Sequence, residues 1–154
     1  MDNLPQIGRV DWIGLRPGRR EPMSIVDSVR TDPTSGLLGD RYSGRTGTRH
    51  ATLIQAEHLP VIASCVGREA VPPELLRRNI VVSGINLLAL KGREFRIGEV
   101  EFEMTGLCQP CSRMEELLGP GGYNAVRGHG GVTARVLSPG AIAIGDPVCV
   151  PGPN

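Results

Sequence analysis

Hydrophobic and polar positions change rhythm repeatedly along this chain, and short period-2 stretches dominate. Val100, Phe102 and Met104 alternate with Glu99, Glu101 and Glu103, the pattern of a strand with one buried face. Residues 6–15 predict an opening strand through Ile7, Val10, Trp12 and Ile13, closed by the polar loop 16–22. Residues 24–30 alternate loosely and read as a second strand, followed by a loop over 31–39 rich in turn formers. A strand is predicted over 50–55, a short helix over 57–65 ended by Gly67, and a helical turn over 72–76. Residues 79–82 read as a buried strand and 87–90 as another short one. Lys91-Gly92-Arg93 turns into a strand at 95–97, with Gly98 as a bulge or turn. After a cysteine-bearing segment at 108–119 comes a glycine-rich loop, GPGGYNAVRGHGG. Closing strands are predicted at 132–137 and 141–144, the latter ended by Asp146-Pro147, and Cys149 falls in a terminal strand. Many short strands with a few short helices predict a mainly β, barrel-like domain. No repeat, low-complexity block or linker divides the chain, so one domain is expected over 1–154.

Composition sharpens this picture. With 40% hydrophobic but only 3% aromatic residues, the core must rely on Val, Ile, Leu and Ala. The 21 glycines and 13 prolines fit many turns between short strands. Seventeen basic against sixteen acidic residues leave a net charge of +1, which argues against a general nucleic-acid binder. No apolar run approaches the roughly 20 residues that span a bilayer, so no membrane partner is expected. The N-terminal stretch shows neither a basic n-region nor a long apolar h-region. Four cysteines without a secretory signal then suit a reducing, cytoplasmic setting, where thiols are free, catalytic or metal-binding. Lys91 is the single lysine; every other basic residue is arginine, whose planar fork suits phosphates and carboxylates. A Schiff base to pyridoxal phosphate could form only at Lys91, in an apparent hairpin turn, which argues against that cofactor on this chain.

The strongest candidate for chemistry is Cys108-Gln109-Pro110-Cys111-Ser112-Arg113-Met114-Glu115, where the alternating strand meets a helix start. Ser112 and Glu115 have the spacing of a capping box. Cys111 would then precede a helix N-terminus, whose partial positive charge favours thiolate over thiol. Such a thiolate is a nucleophile, a sulfur carrier or a ligand for a soft metal. A thioredoxin-type redox pair also sits at a strand-to-helix turn, but its flanking βαβ units are not evident. A zinc site completed by His129, Cys149 or Cys65 would normally show a second CxxC or an HxxxH, and neither is present. The plain alternative is two cysteines filling core space, the expected fate of Cys65 and Cys149. His129 lies among glycines in Arg127–Gly131 and could face a pocket, or be a solvated loop histidine. Arg77-Arg78-Asn79 could clamp an anion with two forks and an amide, or be a solvated surface pair. Asp40 and Asp146 each follow glycine and suggest turn chemistry, and His58 lies in an ordinary helix.

Three stretches together, GLLGDRYSGRTGTRHATLIQAEHL, RRNIVVSGINLLALKGREFRIGEVEFEMTGLCQPCSRMEELLG and GHGGVTARVLSPGAIAIGDPV, closely resemble the MOSC domain. That family is named for the C-terminal domain of molybdenum-cofactor sulfurases. The likeness runs from about Gly36 to Val148, and the chain looks like the small stand-alone bacterial type. The resemblance implies a β-barrel that binds molybdenum cofactor (molybdopterin) or carries sulfur for it. It assigns the key cysteine to Cys111, as molybdenum ligand or sulfur acceptor, and places Arg113 beside it. It also makes Arg77, Arg78 and Asn79, with Asp40, Arg41, His50 and Arg113, and with His129 in the loop after the cysteine helix, the expected cofactor-binding residues. Molybdenum held by soft dithiolene sulfur accepts a further thiolate, and the cofactor's phosphate suits Arg77 and Arg78. Two functions follow as expectations: reduction of N-hydroxylated compounds with electrons from a separate reductase, or persulfide carriage from a cysteine desulfurase. A dithiol couple of Cys108 and Cys111 and a homodimeric state stay open.

Overall fold

The computed structural model describes residues 3–42, 44 and 46–151. Its strands are β1 (Gly8–Leu15), β2 (Ser24–Val26), β3 (Ser28–Asp32), β4 (Gly36–Leu37), β5 (Ala51–Gln55), β6 (Ile80–Ser83), β7 (Glu94–Ile97), β8 (Val100–Leu107), β9 (Val132–Val136), β10 (Gly140–Ala143) and β11 (Pro147–Cys149). Four short helices join them: α1 (His58–Val66), α2 (Pro73–Leu76), α3 (Ser112–Leu118) and α4 (Gly122–Val126). Seven strands close a barrel in the order β11-β7-β8-β9-β5-β6-β1, with β1 returning to β11. Closure removes the exposed edges that an open sheet would present. β2 extends β1 outside the ring, and β10-β3-β4 form a separate three-stranded sheet.

Every barrel pairing is antiparallel except β5 with β6. Parallel neighbours need a long crossover, and here it carries α1 and α2 across one side of the barrel. The crossover delivers Arg77-Arg78-Asn79 to the start of β6. Alternation then sorts side chains into two cores. Ile80 and Val82 point into the barrel with Val10, Leu53, Phe95 and Phe102, whereas Val81 and Ile54 face outward into a helical layer with Ile62, Leu76, Met114 and Val126. Both phenylalanines of this aromatic-poor chain stack in the barrel, with ring centres 5.5 Å apart. β8 has the alternation read from the sequence, with Val100, Phe102 and Met104 buried.

Several local expectations are corrected. The stretch 24–30 is two strands broken at Asp27, and they serve different sheets. Residues Leu87–Leu90 form a 3₁₀ turn, not a strand, because the Asn86 side chain accepts from the Leu88 N–H and caps it. The glycine-rich loop contains α4. Cys65 is exposed and Cys149 only half-buried, so neither is core. Lys91 follows the 3₁₀ turn as an exposed cap residue. Among the described residues, no helix is long and apolar enough to cross a membrane.

Candidate functional site

The loop after β1, Arg41, Arg49, the α2–β6 junction and the segment that leads into α3 enclose a cleft of about 420 Å³. Its lining holds eight arginines (Arg16, Arg19, Arg20, Arg41, Arg49, Arg77, Arg78 and Arg113) together with Cys111 and one acid, Glu116. Cleft volumes of ~300–1,000 Å³ are typical of small-molecule sites.

The cleft rests on a fully paired hub. Asp40, its side chain completely buried, accepts from Arg16 at Nε (3.1 Å), Nη2 (2.9 Å) and the backbone N–H (2.9 Å). Asn79 Nδ2 donates to Asp40 Oδ1 (3.1 Å) and to the Gly14 carbonyl (3.0 Å). The Asn79 Oδ1 in turn accepts from both the N–H and the hydroxyl of Thr52. Burial pushes the Asp40 carboxyl up, but the bonds and charge of Arg16 outweigh it and hold the group below its ordinary 3.8. Asp40 and Asn79 therefore aim Arg16 and tie β1 to β5 and β6. Neither lines the cleft.

Arg77 and Arg78 do line it. Arg77 adopts a left-handed backbone (φ 56°) as the C-cap of α2, unusual for a residue with a Cβ. Its Nη1 and Nη2 donate to the carbonyls of Glu21 and Gly18, fixing the arginine-rich loop after β1. Burial, then the like charges of Arg113, Arg16 and Arg41, lowers the Arg77 pKa from its ordinary value. Arg78 is only 6% exposed. Its Nε donates to the Gly130 carbonyl (2.8 Å) and its Nη1 to that of Leu76 (3.0 Å). Its Nη2 is buried without a partner, the one such side-chain atom among the described residues. Burial lowers its pKa too, while the nearby thiols of Cys108 and Cys111 oppose that shift.

Cys111 is exposed, in an extended conformation at the N-cap of α3, and its carbonyl accepts from Met114 N–H at 2.9 Å. Cys108 is buried, and its N–H donates to Gly131 O at 2.9 Å. The expected capping box does not form. Glu115 instead accepts from the N–H groups of Gly121 (3.0 Å) and Tyr123 (2.9 Å), at the start of α4, and those two bonds keep its carboxyl below the usual range. The α3 helix is thereby clamped to α4. Arg113 lines the cleft and shares Glu116 with Arg20.

The two remaining histidines expected at the site lie elsewhere. His50 is 2% exposed, its Nδ1 accepts from Val136 N–H at 3.1 Å, and its ring meets Tyr42 edge-on. His129 faces His58, with ring centres 5.4 Å apart, and does not line the cleft. Arg41 does line it. Four arginines that sequence reasoning left out also line it: Arg16, Arg19, Arg20 and Arg49. Their one signal was the arginine excess, half of which gathers here. The backbone just before Arg49 is anchored by Thr105, the extra residue at a bulge in β8, which donates its hydroxyl to the Thr48 carbonyl.

Comparison with known proteins agrees with this architecture. The family model of the MOSC domain matches residues 39–149. Among solved structures, the YuaD protein of Bacillus subtilis is 20% identical, with a TM-score of 0.80 over 95% of this chain and 97% of its own. YiiM of Geobacillus stearothermophilus is 17% identical, with a TM-score of 0.77 over 94% and 75%. YiiM of Escherichia coli is 18% identical, with a TM-score of 0.71 over 95% and 71%. At these identities the likeness concerns the fold. No curated protein matches the chain.

Proposed function

The chain belongs to the MOSC domain family, and on that premise we propose that its cleft binds molybdenum cofactor with Cys111 as the ligand to the metal. MOSC domains are associated with molybdenum-cofactor binding and sulfurase-type function. One observation carries the finer reading: an exposed thiol shares a cleft with eight guanidiniums, one of which buries an unpartnered donor. That donor set suits an anionic group bearing a phosphate and a soft metal. Arg16, Arg77 and Arg78 would hold the phosphate, because each is already anchored to the protein and needs little further ordering. The Cys111 thiolate would bind the metal, a bond that releases its proton. When bound, the molybdenum centre would supply two-electron chemistry. For an N-hydroxylated substrate, two electrons and two protons would replace the N–O bond with N–H and release water. The electrons would come from a separate reductase, and Cys111 would keep the metal at the open face of the cleft.

The exposure of Cys111 also favours a second reading, in which it accepts a persulfide sulfur from a cysteine desulfurase and passes it on. Pyridoxal phosphate would then belong to that partner. Metal and pterin content of protein purified from a molybdenum-replete host separates the two. The first reading expects near one molybdenum and one pterin per chain, with Cys111→Ser losing at least about tenfold of the metal while keeping the wild-type melting temperature. Wild-type protein that carries neither after cofactor reconstitution would overturn it. The carrier reading expects a mass gain of one sulfur atom on Cys111 after incubation with desulfurase and cysteine, and no gain would sink that reading.

A further inference from the structure

The arginines of the cleft fall into two tiers. In the deep tier, Arg16, Arg77 and Arg78 each spend two side-chain nitrogens on protein acceptors. Each keeps a third nitrogen with no partner among the described residues: Nη1 of Arg16, Nε of Arg77 and the buried Nη2 of Arg78. Guanidiniums held this way are pre-ordered donors, so an anion meeting them loses little affinity to side-chain ordering. The outer tier differs. Arg19, Arg41 and Arg49 are exposed, line the same cleft, and have no carboxylate partner among the described residues. Glu116 is already shared by Arg20 and Arg113.

Charge decides what such a cleft takes. Eight guanidiniums against Asp40 and Glu116 leave a formal surplus of six. A single phosphate monoester, at roughly −1.5 to −2, fills the deep tier and leaves most of that surplus unmet. We infer that the cleft takes an organic diphosphate, one phosphoryl group in the cradle of Arg16, Arg77 and Arg78 and the second against Arg19, Arg41 and Arg49. The outer arginines line a concavity rather than a flat face, which favours a small polyanion over an acidic protein surface. This deepens the cofactor reading by specifying that the bound cofactor's phosphate is extended into a diphosphate ester, but the binding itself needs no molybdenum.

The test is calorimetry on the purified chain with inorganic phosphate, inorganic pyrophosphate, a nucleoside monophosphate and its diphosphate, at matched ionic strength. Each diphosphate should bind at least about tenfold tighter than its monophosphate counterpart. Arg41→Gln with Arg49→Gln should reduce that ratio to within about threefold while phosphate affinity stays within about twofold. Removing the same charge outside the cleft, with Arg30→Gln and Arg96→Gln, should leave the ratio intact; if it falls equally, only the long-range field matters and the two-tier assignment fails. A ratio below about threefold in wild-type protein also overturns the inference. So does an acidic peptide that competes with pyrophosphate at equal affinity, since the outer tier would then be a protein-docking rim. Molybdenum loading through Cys111 without a diphosphate preference removes only this inference, whereas a preference in protein that never loads molybdenum removes only the cofactor reading.

Discussion

The two walls of the arginine cleft are built on opposite principles. On the barrel side, Asp40, Asn79, Thr52 and the Gly14 carbonyl pair one another's donors and acceptors, all on or beside strand ends. On the helical side, Arg78 reaches across to a glycine-rich loop, bonds the Gly130 carbonyl, and leaves Nη2 buried and unpaired. A buried donor without a partner costs about 1–3 kcal/mol. The barrel wall thus stores stability, while the helical wall stores a deficit that an anion would relieve. Hydrogen-bond pairing is complete on one side of the cavity and incomplete on the other.

Breaking the barrel wall should have the largest effect. Asn79→Leu removes an amide that bonds three residues and leaves Asp40, Thr52 and Gly14 short of partners in the interior. We expect a loss of about 3 kcal/mol or more in urea denaturation. A loss under about 1 kcal/mol would mean the hub is not what holds this wall. Gly130→Ala tests the other wall. Its Cβ would lie 2.4 Å from the Cys108 carbonyl oxygen and 3.2 Å from Arg78 Nη2. The expected cost is about 1–3 kcal/mol with pyrophosphate affinity down at least about tenfold. Destabilised protein with unchanged affinity would remove the distinction between the walls.

A smaller effect is expected from pH. Burial lowers the His50 pKa from its ordinary 6.5, so below that value the unfolded chain binds a proton that the folded chain resists. Stability contributed by neutral His50 is complete above about pH 6.5 and lost as pH falls through its folded value. The slope should not exceed about 1.4 kcal/mol per pH unit for this group. An imidazole NMR titration with a midpoint at or above 6.5 would contradict the assignment of His50 to the barrel side as a buried acceptor. Smallest of all, Cys65→Ser should change stability by less than about 0.5 kcal/mol, because the thiol is exposed at the end of α1, away from both walls.

What the sequence made legible was local. The alternation through β8, the strand-to-helix turn at Cys111 and the mainly β class all depend on residues a few positions apart, where periodicity carries the signal. The barrel's closure and the cleft do not. Arg16 meets Asp40 across 24 positions, Asn79 meets Gly14 across 65, and Arg20 meets Glu116 across 96. Glu115 shows how a correct spacing can mislead. Its distance from Ser112 fits a capping box, yet the first turn of α4 offers two better-placed N–H groups. His129 misled in the same way, since flanking glycines reveal freedom of the backbone but not the direction of the ring.

Arg77 shows what this cleft asks of the protein as a whole. Its left-handed backbone would suit glycine, and a side chain there costs on the order of 1–2 kcal/mol. Arg77→Gly is therefore a substitution that could relax the chain while unfastening the arginine-rich loop from α2. Engineering for heat resistance alone would be drawn to this position and would trade away one of the guanidiniums that line the cleft. At residue 77, thermal robustness and the proposed ligand capture compete for a single backbone angle.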